Sequence, residues 1–290
     1  MSQRSNVLFL VLFGAAAVVS LCFVALYLGV IVGDRNVALG DAVAVVDVQG
    51  ELVYDLDKIQ EIEKYRDDDH IKALLLRIDS PGGGVAASQA LYHEVRKVKE
   101  QKPVVVAMAS VAASGGYYVA CAADSIVAHE GTITGSIGVL AAYLRTEELF
   151  HKLGLDVTVI KSGDLKDVGS PYREMTEEEK GYLGEILDKV YDQFVAAVSQ
   201  GRRLSVERVR ELAEGRIYTG DQAVELGLID RIGTYEDALH MAARMGGISG
   251  EPRVVKRQPR STLMERFVGR ISRVLPVAGD ERISLKYIIP

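Results

Sequence analysis

Tryptophan is absent from this chain, and cysteine, histidine and proline are sparse, at two, five and seven residues. Cys22 lies in an apolar N-terminal run and Cys121 in a glycine- and serine-rich stretch, so an intramolecular disulfide is not expected. Neither cysteine has metal-ligand spacing, and no metal is expected. His70, His93, His129, His151 and His240 stand outside any motif-like setting, so a Ser-His-Asp triad has no marked members. His129 alone, following an apolar run near the glycines, keeps a chemical reading open. The formal charge of −6 gives no basic excess and, with tryptophan missing, no sign of a nucleic-acid binder. The triplet Gly82-Gly83-Gly84 is followed by Val85-Ala86 and not by Gly-Lys-Ser/Thr, which discounts a phosphate loop. No cofactor is expected.

What the chain does have begins at Val7. From there to Val32 run 26 residues without a charge, enough to cross a hydrocarbon core of about 30 Å. The run ends in Gly33-Asp34-Arg35-Asn36 and lacks an A-x-A-like exit, so an uncleaved single-pass anchor is expected. Leu21 before Cys22 argues against a lipoprotein site. Arg4 and the terminal amine precede the span while Asp34 and Arg35 cancel after it, which favours the N-terminus inside. The expected organisation is a tip and anchor over 1–35, a linker over 36–41, one domain over 42–245 and a basic tail over 246–290. In the tail, Met264, Phe267, Val268, Ile271, Val274 and Leu275 are spaced as on an amphipathic helix, against a membrane, a subunit or solvent.

From Ala42, short apolar runs (AVAVVDV, ALLLRID, PVVVAMA, SIVA, LDVTVIK) alternate with amphipathic stretches. That alternation predicts an α/β fold with a buried parallel sheet of βα units. Thr176 and Glu179 have capping-box spacing and open a helix to about Gln200.

Three stretches could carry chemistry. Ser110 to Val139 is crowded with glycine, serine and alanine, so backbone or substrate must come close. Within it Ser114 falls between an apolar run and a helix-like one, as a nucleophile at a strand-to-helix turn or as a plain N-cap. Asp79-Ser80-Pro81-Gly82-Gly83-Gly84-Val85 could offer free N–H groups to an oxyanion or a peptide, or be a tight turn. Lys161 to Pro171 holds Lys166 beside Leu165 and Val168. A lysine there is a general base if burial lowers its pKa and Asp167 is turned away, and otherwise a solvated loop residue.

Together ASGGYYVACAAD, TITGSIGV, DSPGGGV and KSGDLKDVGSPYREMTEEEK resemble the signal peptide peptidase A family in its short form, over roughly residues 42 to 240. The resemblance implies a ClpP/crotonase-like fold and a serine protease with a Ser/Lys dyad. It implies Ser114 as nucleophile, Lys166 as general base in preference to Lys161, and Ser136 as the hydroxyl that orients the lysine amine. By analogy with the related fold, the N–H groups of Gly83 and Gly115 form the oxyanion hole. It further implies a homo-oligomer on the plasma membrane with the domain outside the cytoplasm, acting on cleaved signal peptides. Two rival readings remain, a crotonase-like acyl-CoA enzyme and a catalytically silent membrane scaffold.

Overall fold

The computed structural model describes residues 20–21, 40–257 and 286–288. The expected anchor Val7 to Val32 lies outside them apart from Ser20 and Leu21, as does the amphipathic part of the tail. No helix among the described residues is long and apolar enough to cross a membrane.

In chain order the first elements are β1 (Ala42–Gln49), α1 (Leu56–Asp67), β2 (Ile71–Ser80), β3 (Gly82–Gly84), α2 (Val85–Lys99) and β4 (Val104–Ala113). Then come α3 (Gly115–Ala120), β5 (Ser125–Ala128), β6 (Ile133–Gly135), α4 (Glu147–Lys152), α5 (Glu177–Arg202) and α6 (Val206–Leu212). The last are β7 (Ile217–Tyr218), α7 (Gly220–Glu225), β8 (Arg231–Ile232), α8 (Tyr235–Met245), β9 (Arg253–Lys256) and β10 (Lys286–Ile288). The α/β class follows the sequence reading. β1, β2, β4, β5, β6, β8 and β9 pair in parallel, and β7 adds antiparallel to β6. The sheet passes the expected domain limit at 245, because β9 takes the open edge of β1.

Both faces of the sheet are covered, which is why its strands are continuous valine and leucine runs. Val43, Val45, Leu75, Val105 and Val127 pack on Ala238, Ala242 and Ala243 of α8. Their neighbours Ala44, Val46, Leu74, Leu76 and Val106 point the other way, into a core shared with α1, α2, α3 and α5. Helix α2 buries Leu91, Tyr92, Val95 and Val98 at helical spacing and is tied to α1 by Arg66–Glu94 at 2.6 Å. The expected capping box is present at α5, with Thr176 accepting from Glu179 N–H and Glu179 reaching back.

Two features set up the site. Strand β4 forks: Val105–Ala107 pairs with β5 and Val111–Ala113 with β6. The second feature departs from expectation. Leu155 to Lys161, patterned as a strand, is irregular and exposed, and pairs with no strand among the described residues. From Asp156 to Ser162 the backbone makes no hydrogen bond within the described chain. Leu155, Val157, Val159 and Ile160 are all exposed. Alternation reports a side-chain pattern, and the pairing partner it presupposes is not found among the described residues.

Candidate active site

Ser114 closes β4 and caps α3 in a conformation that an L-residue rarely adopts, φ 52° and ψ −118°. Such a backbone costs about 1–3 kcal/mol and persists only where its surroundings impose it. Here β6 imposes it, since Ser114 N–H donates to the Gly135 carbonyl at 2.8 Å. On the far side the Ser114 carbonyl accepts from Tyr118 N–H at 2.8 Å and so starts the helix. The side chain caps nothing. A strained serine between strand and helix, with the unpaired N–H groups of a first turn beside it, is the geometry of a nucleophile elbow.

Glycine is required around it. A Cβ on Gly115 would stand 2.4 Å from Ser88 Oγ and 3.3 Å from the Gly83 nitrogen. A Cβ on Gly116 would meet the Ser80 carbonyl at 2.9 Å. The DSPGGGV loop therefore lies directly against the start of α3, and Gly83 and Gly115 are neighbours in space. Leu52 holds the loop from behind, donating to Gly82 O at 2.7 Å and accepting from Gly84 N–H at 2.8 Å.

Two buried serines, which sequence reasoning did not single out, lock this arrangement. Ser80 Oγ donates to Gly50 O at 2.6 Å and accepts from Gly82 N–H at 3.1 Å, and Ser88 Oγ donates to Gly84 O at 3.0 Å. The available signal was a hydroxyl ending a strand just before Pro81. Ser80→Ala would strand the buried Gly82 N–H, a penalty of about 1–3 kcal/mol. We expect kcat to fall about tenfold with KM little changed, as the loop donors lose their aim. Steady-state kinetics alongside a melting curve check this, and an unaltered kcat in a folded variant removes Ser80 from the positioning role.

Ser136 follows β6, is buried, has φ 51° and donates its N–H to Arg216 O at 2.7 Å. Ser114 and Ser136 line one cavity of about 550 Å³. Its walls are Ile137 to Leu140, Leu187, Asp188 and Tyr191 of α5, and Glu214-Gly215. It is mostly apolar with two carboxylates at its wall. His129 lines a different cavity, with Arg77, Tyr235 and Lys256.

Lys166 is not brought to this cavity. It sits on a single 3-10 turn, Asp164–Asp167, exposed, and its ammonium has no partner among the described residues. Its neighbours are committed elsewhere. Lys161 Nζ bonds Asp167 Oδ1 at 2.7 Å and Asp164 O at 2.8 Å. Arg173 bonds both oxygens of Asp167, at 2.7 and 2.9 Å, and reaches Glu179 as well. The hydrogen bonds from Arg173 and then Lys161 hold the Asp167 carboxyl well below its usual range. Arg173, followed by the Thr176 N–H, brings Glu179 down to about 2. Asp167 is thereby neutralised by two cations, and Lys161 is an ion-pair member.

Behind the elbow, burial pushes the Cys121 thiol up to about 12, so it stays protonated. Tyr117 fixes the helix by donating to Leu228 O at 2.8 Å. Helix α5 approaches closely because residue 201 is glycine, where a Cβ would stand 2.1 Å from Cys121 O.

Sequence comparison places these residues among known proteins. The model of Peptidase family S49 matches residues 96–249, and that of Clp protease matches residues 53–128. The chain is 49% identical over 176 residues to a candidate protease of Synechocystis sp., covering 61% of this chain and 64% of that protein. A candidate protease of Methanocaldococcus jannaschii is 42% identical over 203 residues, 70% of this chain and 64% of its own length. A candidate signal peptide peptidase SppA of Enterococcus faecium is 44% identical over 182 residues, 62% of this chain and 53% of its own. The match thus spans between half and two thirds of these relatives.

Proposed function

Because this chain belongs to peptidase family S49, we propose that it is a serine endopeptidase in which Ser114 is the nucleophile and Lys166 the general base. The observation that carries the reading is the Ser114 elbow, strained and packed against the Gly82–Gly84 loop. In the proposed reaction the neutral Lys166 amine removes the Ser114 proton as Oγ attacks a peptide carbonyl. The N–H groups of Gly83 and Gly115 take the oxyanion. The ammonium then protonates the departing amine, and water, deprotonated by the same amine, hydrolyses the ester. Ser136, on the cavity wall with Ser114, orients the amine.

Lys166 stands outside its own chain's cavity, on a turn that follows a segment, 156–162, with no backbone hydrogen bond among the described residues and with exposed apolar side chains. Both facts support a homo-oligomer in which that segment pairs with a neighbouring copy and delivers Lys166 to that copy's Ser114. The apolar wall of the cavity supports hydrophobic peptides, such as cleaved signal peptides, as substrates. The uncharged run Val7 to Val32 supports a membrane anchor with the domain outside the cytoplasm.

Asp188 and Glu214 at the cavity wall are the acidic groups that an acyl-CoA hydratase would use. Incubating the full chain in detergent with a labelled apolar peptide and, separately, with an enoyl-CoA thioester discriminates the two. Peptide cleavage without thioester hydration is expected, and the opposite outcome overturns the protease reading.

A further inference from the structure

The face of the sheet under α8 changes character partway along its strands. Val45 of β1, Leu75 of β2, Val105 of β4 and Val127 of β5 pack on that helix. Two residues further along each chain segment, the same alternation brings Asp47, Arg77, Ala107 and His129 to this face. The register agrees, with Asp47 opposite Arg77 and Arg77 opposite Ala107. Tyr235, the first residue of α8, ends the helical cover. Beyond it Arg77, Ala107, Ala109, His129, Tyr235 and Lys256 of β9 line a cavity of about 280 Å³. Ala107 to Ala109 fall where β4 exchanges β5 for β6 as its neighbour. In α/β sheets ligands settle at such places, beyond the carboxyl ends of strands and where the strand order changes.

The polar groups on this wall are donors in want of an acceptor. The Arg77 guanidinium, the Tyr235 hydroxyl and the His129 imidazole make no hydrogen bond among the described residues. Arg77 stands 3.8 Å from Asp47 Oδ1, too far for one. Asp47 is not on the wall: Lys256 Nζ lies 2.5 Å from its Oδ2, and its Oδ1 is buried. Two cations therefore answer one carboxylate, and positive charge is in excess. We propose that this cavity, separate from the one at Ser114, is a binding site for a small phosphate monoester. Arg77, Lys256, His129 and Tyr235 donate to its phosphoryl oxygens, and the small side chains of Ala107 and Ala109 leave room for the esterified body beside the Tyr235 ring. A phosphate monoester presents three strong acceptor oxygens, which suits several donor side chains better than the two of a carboxylate. The cavity's volume, at the small end for ligand pockets, suits a compact molecule.

Phenyl phosphate is a suitable probe. Titrated calorimetrically into the full chain in detergent at constant ionic strength, it is expected to saturate at about one ligand per chain. Arg77→Ala should weaken binding about tenfold or more, and Tyr235→Phe, which removes one hydroxyl and keeps the ring, about fivefold. Melting curves without ligand establish that both variants are folded, and Tyr235→Phe carries the test should Arg77→Ala not fold. Ser114→Ala should bind as the wild type does. Benzoate, with the same ring and a carboxylate head, should bind about tenfold more weakly. Heats that never saturate, or an affinity unchanged in both wall variants, overturn the proposal. Binding lost in Ser114→Ala also overturns it, by placing the ligand in the other cavity, and benzoate binding as tightly as phenyl phosphate overturns the choice of a phosphate head.

Discussion

Ser114→Ala is expected to reduce peptide hydrolysis by at least about 10⁴-fold, the scale on which removal of a nucleophile acts. It should also abolish labelling by a fluorophosphonate. The loss should come without unfolding. Alanine keeps the Cβ and backbone groups, so the bonds to Gly135 O and from Tyr118 N–H remain. The hydroxyl caps nothing, and its removal leaves no helix N–H newly bare. Melting curves and oligomer size should therefore match the wild type while activity vanishes. Substantial residual turnover in a folded Ser114→Ala protein would remove this serine from the nucleophile role.

Lys166→Ala is expected to lower kcat by about 10³-fold or more, as loss of a general base does. The more discriminating result comes from mixing. If the lysine serves a neighbour's serine, Ser114→Ala and Lys166→Ala chains disassembled and reassembled together contain sites with both groups intact. In a ring of randomly mixed copies about a quarter of the sites qualify. Two dead proteins should then regain about a quarter of wild-type activity. No recovery from fully mixed oligomers would place the dyad within one chain, and near-normal turnover by Lys166→Ala alone would reopen Lys161 and His129. Lys161 starts at a disadvantage, since its amine is already bonded to Asp167.

The elements legible in the sequence are those whose causes are local. Val104 to Ala109 reads as a buried strand because both faces are covered, and α5 announces its start through Thr176 and Glu179. The small residues around Ser114 give away a close approach, and the structure shows what approaches, the Gly82–Gly84 loop. Elements whose causes are distant in the chain were not legible. Leu155 to Lys161 has the alternation of a strand, yet a pattern of side chains carries no information about which backbone will lie beside it. The pairing of Gly82–Gly84 with Lys286–Ile288 joins segments about two hundred residues apart, and neither end marks the other. Ser80 escaped because a serine before Pro-Gly-Gly looks like turn chemistry, whereas its hydroxyl is buried and bridges two loops.

The fork in β4 has a temporal consequence. One branch runs into β6, so the two hydroxyl residues at its tip are fixed by sheet hydrogen bonds as soon as a single copy folds. In the proposed oligomer the amine, which follows a segment that pairs with no strand among the described residues, would arrive later and from a neighbouring copy. Folding and ignition are then separate events. Under the proposed sharing of the dyad, a newly made copy would mature inert among vulnerable neighbours, and destructive capacity would begin only where enough copies have gathered.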